Sequence, residues 1–169
     1  ELPRLVFDGN DAAHPDANTL LRELIDIGTI NGKPPVAPMA WLGDAIAIKD
    51  PTVAAFRRQG GTNLLIVGQR EDLATSILSM ATVSLAAGSD PYPGGAIGKA
   101  SRFVLFEPAI AEEHPDTMLS RLTEFLPHEI ELVSRLGVVD AFRDLAAEVQ
   151  RRLDEQILDA ESVFVVIRD

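Results

Sequence analysis

One short stretch of the chain has the layout of a phosphate-binding site. Residues 63–78 read NLLIVGQREDLATSIL, an apolar run followed by a glycine, a short polar loop and the start of a helix. In a phosphate-binding loop, the N–H groups of such a turn and the N-terminus of the helix hold phosphate within the pattern G-x-x-x-x-G-K-[ST]. The segment from residue 68 to residue 75, GQREDLAT, is the one to compare with that pattern.

Compared with that pattern, the segment keeps the hydroxyl residue but lacks the lysine and the second glycine. Thr75 stands where the Mg²⁺-binding hydroxyl belongs, but Ala74 replaces the lysine that would reach the β- and γ-phosphates. Leu73 replaces a glycine, although leucine tolerates poorly the positive φ angles that a nest of N–H groups often needs. The carboxylates of Glu71 and Asp72 interact favourably with the dipole at the N-terminus of the predicted helix, and they would repel a phosphate bound at the same place. We therefore expect a vestigial loop without bound ATP, formed by Gly68, Gln69, Arg70 and Thr75.

The composition describes a folded chain that is a poor partner for nucleic acid. With 169 residues, 46% of them hydrophobic and 24% charged, the chain is long enough to bury a core. Its net charge of −11 opposes DNA binding, because that binding rests on Lys and Arg side chains that neutralise phosphates. No apolar run approaches the roughly 18 residues that span a membrane, and no signal segment opens the chain. We expect a cytoplasmic protein without membrane contact in this chain.

Other catalytic and metal chemistry has little support in the sequence. The three histidines, His14, His114 and His128, fall in predicted loops, and no two share a helix face at i and i+4, so no zinc site is predicted. The chain has no cysteine and no G-x-S-x-G motif, which leaves acyl transfer without a visible nucleophile. We expect no cofactor, and ATP with Mg²⁺ only if the loop at residue 68 is functional.

Apolar runs predict the strands that would position this loop. Residues 63–67, NLLIV, are apolar on both faces, which is typical of a central strand in a parallel sheet. Residues 102–107, RFVLFE, and residues 162–169, SVFVVIRD, are predicted to be parallel strands of the same sheet, with a weaker strand over residues 129–134. Shorter strands are predicted over residues 4–10 and 44–50.

Helical spacing of apolar residues predicts four main helices. They are expected over residues 17–28, from residue 71 to about residue 87, over residues 114–126 and over residues 138–158. A helical turn is also predicted from Pro51 to Phe56, after a proline-rich connector at residues 31–40. In the last long helix, the apolar stripe expected to face the core consists of Val139, Phe142, Leu145, Ala146, Val149, Leu153 and Ile157.

Alternation of these strands and helices predicts an α/β fold with parallel strands. In such sheets, ligands lie at the carboxyl ends of the strands. The sequence therefore directs attention to three places, which are Gly68 onward, Glu107 onward, and Arg168 with Asp169.

The run WLGDAIAIKDPTVAAFRRQGGTNLLIVGQ, residues 41–69, and the strands after it resemble the ATPase module of the FtsK/SpoIIIE family of DNA translocases and secretion motors. Members of that family carry a hydrophobic hLLIAG strand directly before the phosphate loop. The resemblance implies a three-layer P-loop-NTPase-like domain over residues 41–169, with a mainly parallel central sheet and helices on both faces. An N-terminal strand, a helix and the proline-rich connector would occupy residues 1–40, and the chain would be a fragment of a larger protein.

The second family motif is a buried strand ending in Asp-Glu, which orients Mg²⁺ and the attacking water. VFVVIRD, residues 163–169, looks like that strand. If Arg168 occupies the aspartate position, Asp169 stands at the catalytic acid. If the register shifts by one residue, Asp169 is the Mg²⁺ partner together with Thr75. Both registers stay open, because sequence fixes strand ends only to within a few residues.

The resemblance implies a module that has lost catalysis and has an assembly or regulatory role in a larger motor. Its partners would be other modules or subunits of the same protein, and DNA is not expected to bind this acidic segment directly. One alternative is an active ATPase of a DNA translocase with an atypical phosphate loop. The other is a protein-interaction domain that keeps only the α/β scaffold.

Overall fold

The chain forms two compact units, Glu1–Gly88 and Ser89–Asp169. The computed structural model describes residues 17–43, 51–57, 59, 62–95, 99–107 and 117–168. The strands predicted over residues 4–10 and 44–50 lie outside these described residues. Among the described residues, no helix combines the length and the apolar character needed to cross a bilayer.

The first helix of the first unit begins and ends where the sequence predicts. Helix α1, Thr19–Ile27, starts after Asn18, whose side chain accepts a hydrogen bond from the backbone N–H of Leu21 at 2.9 Å. It ends at Gly28, which adopts the left-handed backbone (φ 69°) that glycine tolerates best. Local capping residues therefore set both ends of this helix.

Two antiparallel strands and a longer helix complete the described part of the first unit. Strand β1, Met39–Gly43, pairs with strand β2, Thr52–Ala55. The helical turn predicted at residues 51–56 is wrong, because pairing with β1 holds this segment extended. Helix α2, Glu71–Ala87, has the bounds that the sequence predicts. The shared core of the unit contains Leu21, Leu24, Trp41 and Met80.

The segment expected to be the central strand is not a strand. Residues 62–70 form no helix and no strand. The side chains of Leu65 and Val67 are 85% and 86% exposed. The prediction for residues 63–67 is therefore wrong, since an apolar run becomes a buried strand only where neighbouring strands pair with it and cover its faces.

The second unit contains a three-stranded parallel sheet in the order β4-β3-β5. Its strands are β3, Ser101–Phe106, β4, Glu129–Val133, and β5, Ser162–Ile167. Two helices connect them, α3, Met118–Phe125, and α4, Val138–Asp154. The predicted parallel pairing of residues 102–107 with residues 162–169 is confirmed, and this unit is an α/β structure.

The two faces of this sheet have different neighbours. On one face, Val104 and Phe106 of β3 pack with Val133 of β4 and Ala141 of α4. On the opposite face, the ring of Phe103 stacks on Phe164 of β5 at a centroid distance of 5.4 Å. The central strand β3 is buried on both sides, as a two-sided apolar run should be in a parallel sheet.

Helix α4 turns most of its predicted core stripe outward. Its inward side carries Val138, Ala141 and Leu145. Val139, Phe142, Val149 and Leu153 are between 46% and 69% exposed, and Ala146 is exposed too. The predicted stripe is therefore wrong for Val139, Ala146, Val149 and Leu153, because the apolar surface of α4 is wider than the part that the sheet covers. Phe142 stacks one side of its ring on Phe106 of β3, at a centroid distance of 4.7 Å, and is exposed on the other. The outer stripe of α4 is the set Val139, Phe142, Ala146, Val149 and Leu153.

Candidate functional site

The carboxyl ends of β3 and β5 meet at one edge of the parallel sheet. Glu107 directly follows β3, and its backbone N–H donates to the carbonyl of Val133 at 3.1 Å. Arg168 directly follows β5, and its backbone N–H donates to the carbonyl of Phe106 at 2.9 Å. Because Phe106 and Ile167 are register partners, the next residue of each strand lies at the same edge.

A fully buried carboxylate occupies this edge. Oε1 of Glu107 accepts a hydrogen bond from Nη1 of Arg168 at 2.5 Å, and Oε2 accepts one from the hydroxyl of Thr117 at 2.5 Å. The Glu107 side chain is 0% exposed, whereas that of Arg168 is 21% exposed. Such charge-assisted contacts are the strong ones in proteins, so Glu107, Thr117 and Arg168 form one tightly linked set, here called the Glu107 cluster.

Thr117 is held in place by the start of α3. Its hydroxyl oxygen accepts from the N–H of Ser120 at 3.1 Å, while the N–H of Thr117 donates to the hydroxyl of Ser120 at 2.9 Å. This reciprocal arrangement is a capping box, which satisfies two N–H groups at the helix N-terminus. The same hydroxyl donates its proton to Glu107, so one side chain both caps α3 and anchors it to the sheet.

The Glu107 cluster is suited to joining elements. Each oxygen of the carboxylate already accepts a hydrogen bond from a protein group, and these bonds connect the ends of β3 and β5 to the start of α3. In the described part of the chain, no group of three or more His, Asp or Glu residues could hold a metal ion. Asp169, the candidate catalytic and Mg²⁺-binding residue, lies outside the described residues, as do His14 and His114.

The structure places the segment predicted to be a vestigial phosphate loop at the surface of the first unit. Gly68, Gln69 and Arg70 are exposed, and Gly68 lacks the positive φ that a nest of N–H groups often requires. The guanidinium of Arg70 donates to both carboxylate oxygens of Asp72, at 2.6 and 3.2 Å. These hydrogen bonds raise the pKa of Arg70 and lower the pKa of Asp72. The guanidinium of Arg70 is therefore engaged by a carboxylate in the first turn of the helix that it precedes.

Thr75, the last candidate of this loop, lies one turn inside α2. Its hydroxyl donates to the backbone carbonyl of Glu71 at 2.8 Å, a bond between residues four apart in the helix. Gly68, Gln69, Arg70 and Thr75 thus remain close along the chain, but the polar side chains of Arg70 and Thr75 bind protein groups.

Sequence reasoning reached two of the three residues in the Glu107 cluster. The rule that ligands collect at the carboxyl ends of parallel strands pointed to Glu107 and Arg168. It did not identify Thr117, which lies 10 residues after Glu107. The available signal was the hydroxyl spacing of Thr117 and Ser120, a hydroxyl-only variant of the usual capping-box pattern.

A second buried polar group lies near the amino ends of the strands. Nε2 of His128 is 3.3 Å from the carbonyl oxygen of Ser89, and the ring meets Phe103 edge-on at 5.5 Å. The hydroxyls of Ser89 and Ser101 are 2.6 Å apart beside it. Nδ1 has no hydrogen-bond partner among the described residues. Burial lowers the pKa of His128, against the smaller opposing effects of the Ser89 carbonyl and of Asp90.

The stability of the second unit is expected to fall in mild acid because of His128. Its folded pKa lies below the unfolded value of about 6.5, so the unfolded chain binds more protons than the folded chain as the pH drops through that value. The free energy of unfolding should therefore decrease from about pH 7.5 to about pH 5.5 in urea titrations. His128→Gln should remove this part of the slope, and equal slopes for the two proteins would contradict the assignment.

Comparisons with known proteins found no match to this chain. No family model matches the chain, no curated protein matches it, and no solved structure matches it.

Proposed function

We propose that this chain is a non-catalytic module of the FtsK/SpoIIIE type that has an assembly or regulatory role in a larger cytoplasmic DNA-translocase or secretion motor. One observation supports the proposed loss of catalysis. Two polar side chains of the vestigial loop bind the module's own atoms, Arg70 the carboxylate of Asp72 and Thr75 the carbonyl of Glu71. In an active loop, the hydroxyl at the position of Thr75 binds Mg²⁺.

Electrostatics supports the same conclusion. A triphosphate at the start of α2 would meet the carboxylates of Glu71 and Asp72 in the first turn of that helix. Ala74 supplies no cation to offset them, and Arg70 would have to leave Asp72 first. Each step opposes nucleotide binding, so ATP and Mg²⁺ are not expected as cofactors of this module.

Support for the family layout comes from the second unit. Its parallel strands β3 and β5 are neighbours, and β5 carries the VFVVI sequence that resembles the second family motif. If Arg168 occupies the position where the family has a Mg²⁺-binding aspartate, its binding to Glu107 favours a structural role there. The exposed, non-strand conformation of residues 63–67 does not support the three-layer P-loop-NTPase-like arrangement. This layout rests mainly on the sequence resemblance.

A protein-interaction domain is the second candidate function. The outer stripe of α4 is the observation that favours it, because five apolar positions along one helix face are exposed. This function needs no nucleotide and no second catalytic module. Partners of the chain would then be recognised through apolar surface.

Calorimetric titration with Mg²⁺-ATP tests the loss of nucleotide binding. We expect no measurable binding by the chain, because the loop lacks its lysine and its remaining groups are engaged. A micromolar dissociation constant would show that the chain is an active or nucleotide-binding ATPase. A longer form of the protein should be titrated as well, since motors of this type can complete a site with groups from a neighbouring subunit.

A loop-restoring variant separates the two proposed functions. The triple variant Glu71→Gly, Leu73→Gly, Ala74→Lys restores the glycine and the lysine of the consensus loop at residues 73 and 74, and replaces the carboxylate at residue 71 with the additional glycine that many such loops have there. A rise in its melting temperature on adding Mg²⁺-ATP would support the motor-module proposal. The matched control, which carries both glycines and keeps Ala74, should show no rise. If the triple variant gains nothing either, the protein-interaction domain is the better assignment.

A further inference from the structure

Strand β5 has one edge that no described strand covers. On its inner side, the N–H groups of Ser162 and Arg168 donate to the carbonyls of Ala100 and Phe106. In a parallel ladder, alternate residues turn their N–H and C=O groups to opposite sides, so Val163, Val165 and Ile167 direct theirs away from β3. The sequence of β5, SVFVVI, contains no proline and no charged residue of the kind that protects an edge from pairing.

The side chains at this edge continue the apolar surface of α4. Val163 packs against the core cluster that contains Ala141 of α4. Since side chains of a strand alternate between faces, Val165 and Ile167 lie on that same face, where they are 42% and 53% exposed. Val165 and Ile167 are therefore exposed next to α4.

The outer stripe of α4 has the spacing of a helix that packs against another helix. Its positions, from Val139 to Leu153, are separated alternately by three and four residues, the repeat that forms a helix–helix seam. A right-handed crossover, the hand of nearly all such units, puts this stripe on the side of α4 that faces the β5 edge. The opposite flank of α4 is charged, with Asp140, Asp144 and Arg151.

We infer that a second copy of this chain binds here, with β5 pairing antiparallel to β5 of the partner copy. A two-fold axis at Val165 sets Val163 opposite Ile167 and Phe164 opposite Val166, so apolar side chains meet along the strand. Ser162 of one copy then lies opposite Arg168 of the other, whose guanidinium remains bound to Glu107. The two sheets join into one, and the outer stripes of both α4 helices face each other above the joined strands.

The exposure and charge of the surface suit this occupant. The outer stripe, Val165 and Ile167 include no charged residue, and the large apolar residues among them are between 42% and 69% exposed, which suits an interface core that is depleted of charge. The strand edge adds main-chain hydrogen bonds between the copies. The inference goes beyond the proposed function, since it requires neither nucleotide nor the family resemblance.

Sedimentation equilibrium of the chain, without nucleotide, is the test. We expect a dimer at micromolar concentration. Val165→Pro should weaken it roughly tenfold or more, because proline removes an N–H that points outward and leaves the bonds to β3 in place. Ala146→Lys should weaken it to a similar extent by placing a charge in the outer stripe. Ala147→Lys is the matched control, since this neighbour is exposed but lies outside the stripe, and it should dimerise like the unchanged chain.

The outcomes distinguish the proposed dimer interface from an interface elsewhere on the chain and from binding of a different protein. A monomer at all concentrations would overturn the inference and assign the surface to a different protein. A dimer that survives both Val165→Pro and Ala146→Lys would overturn it too, because the copies would then meet elsewhere. Circular dichroism melts identify any variant that fails to fold, in which case Ala146→Lys against Ala147→Lys decides alone. Failure of dimerisation leaves the calorimetric test of nucleotide binding unaffected.

Discussion

Replacing Glu107 with alanine is expected to destabilise the second unit by about 3–5 kcal/mol, the usual cost of removing one partner of a buried ion pair. The carboxylate is 0% exposed and accepts hydrogen bonds from both Arg168 and Thr117. Its loss leaves the guanidinium without its buried counter-charge and leaves the hydroxyl of Thr117 without its acceptor. Urea unfolding followed by circular dichroism measures the change.

Further variants test whether the broken ion pair causes the loss of stability in Glu107→Ala. Glu107→Gln keeps the shape and one acceptor, so its cost should lie between those of the unchanged chain and Glu107→Ala. Arg168→Met combined with Glu107→Ala should cost less than the sum of the two single changes, because both remove the same interaction. The control is Asp140→Ala, which breaks an exposed pair with Arg143 and should cost under about 1 kcal/mol. Similar costs for Glu107→Ala and Asp140→Ala would refute the structural role of the Glu107 cluster.

Leu24→Ala is expected to destabilise the first unit by about 2–5 kcal/mol, as large-to-small changes in a packed core do. Leu24 is 1% exposed and packs in the cluster that contains Trp41 and Met80. Removing its side-chain carbons leaves a cavity that α1 and α2 cannot close without moving. Urea unfolding detects this change as a lower midpoint at an unchanged slope.

The same substitution at Leu65 is the matched control. Leu65 is 85% exposed, so Leu65→Ala should change the free energy of unfolding by no more than about 0.5 kcal/mol. The sequence pattern makes the opposite prediction, since it places Leu65 in a central strand. Equal losses for Leu24→Ala and Leu65→Ala would show that residues 63–67 are buried after all.

The sequence by itself determined the elements whose signals are local. Asn18 and Gly28 flank an amphipathic run and fix α1, because capping hydrogen bonds and a left-handed glycine act within one turn. The alternation of strands and helices after residue 88 was sufficient to predict the parallel pairing of β3 with β5. The caps of α1 depend on neighbours a few residues away, and the order of strands and helices can be read directly along the chain.

The candidate site was only partly readable in the sequence. The position of Glu107 and Arg168 at strand ends follows from the general rule for parallel sheets. Their ion pair does not, because the residues are 61 positions apart and meet only through the register of β3 with β5. The contribution of Thr117 depends in addition on where α3 begins relative to that edge.

Only the tertiary structure decided which apolar surfaces are buried. Residues 63–67 and the outer stripe of α4 have the composition of core segments, yet both are exposed. Residues 52–55 form a strand because β1 pairs with them, against the local preference for a helical turn. The physical reason is the same in each case. Removing apolar side chains from water is favourable, but hydrophobicity does not specify which segment covers them. The covering segment is in place only when distant parts of the chain are brought together.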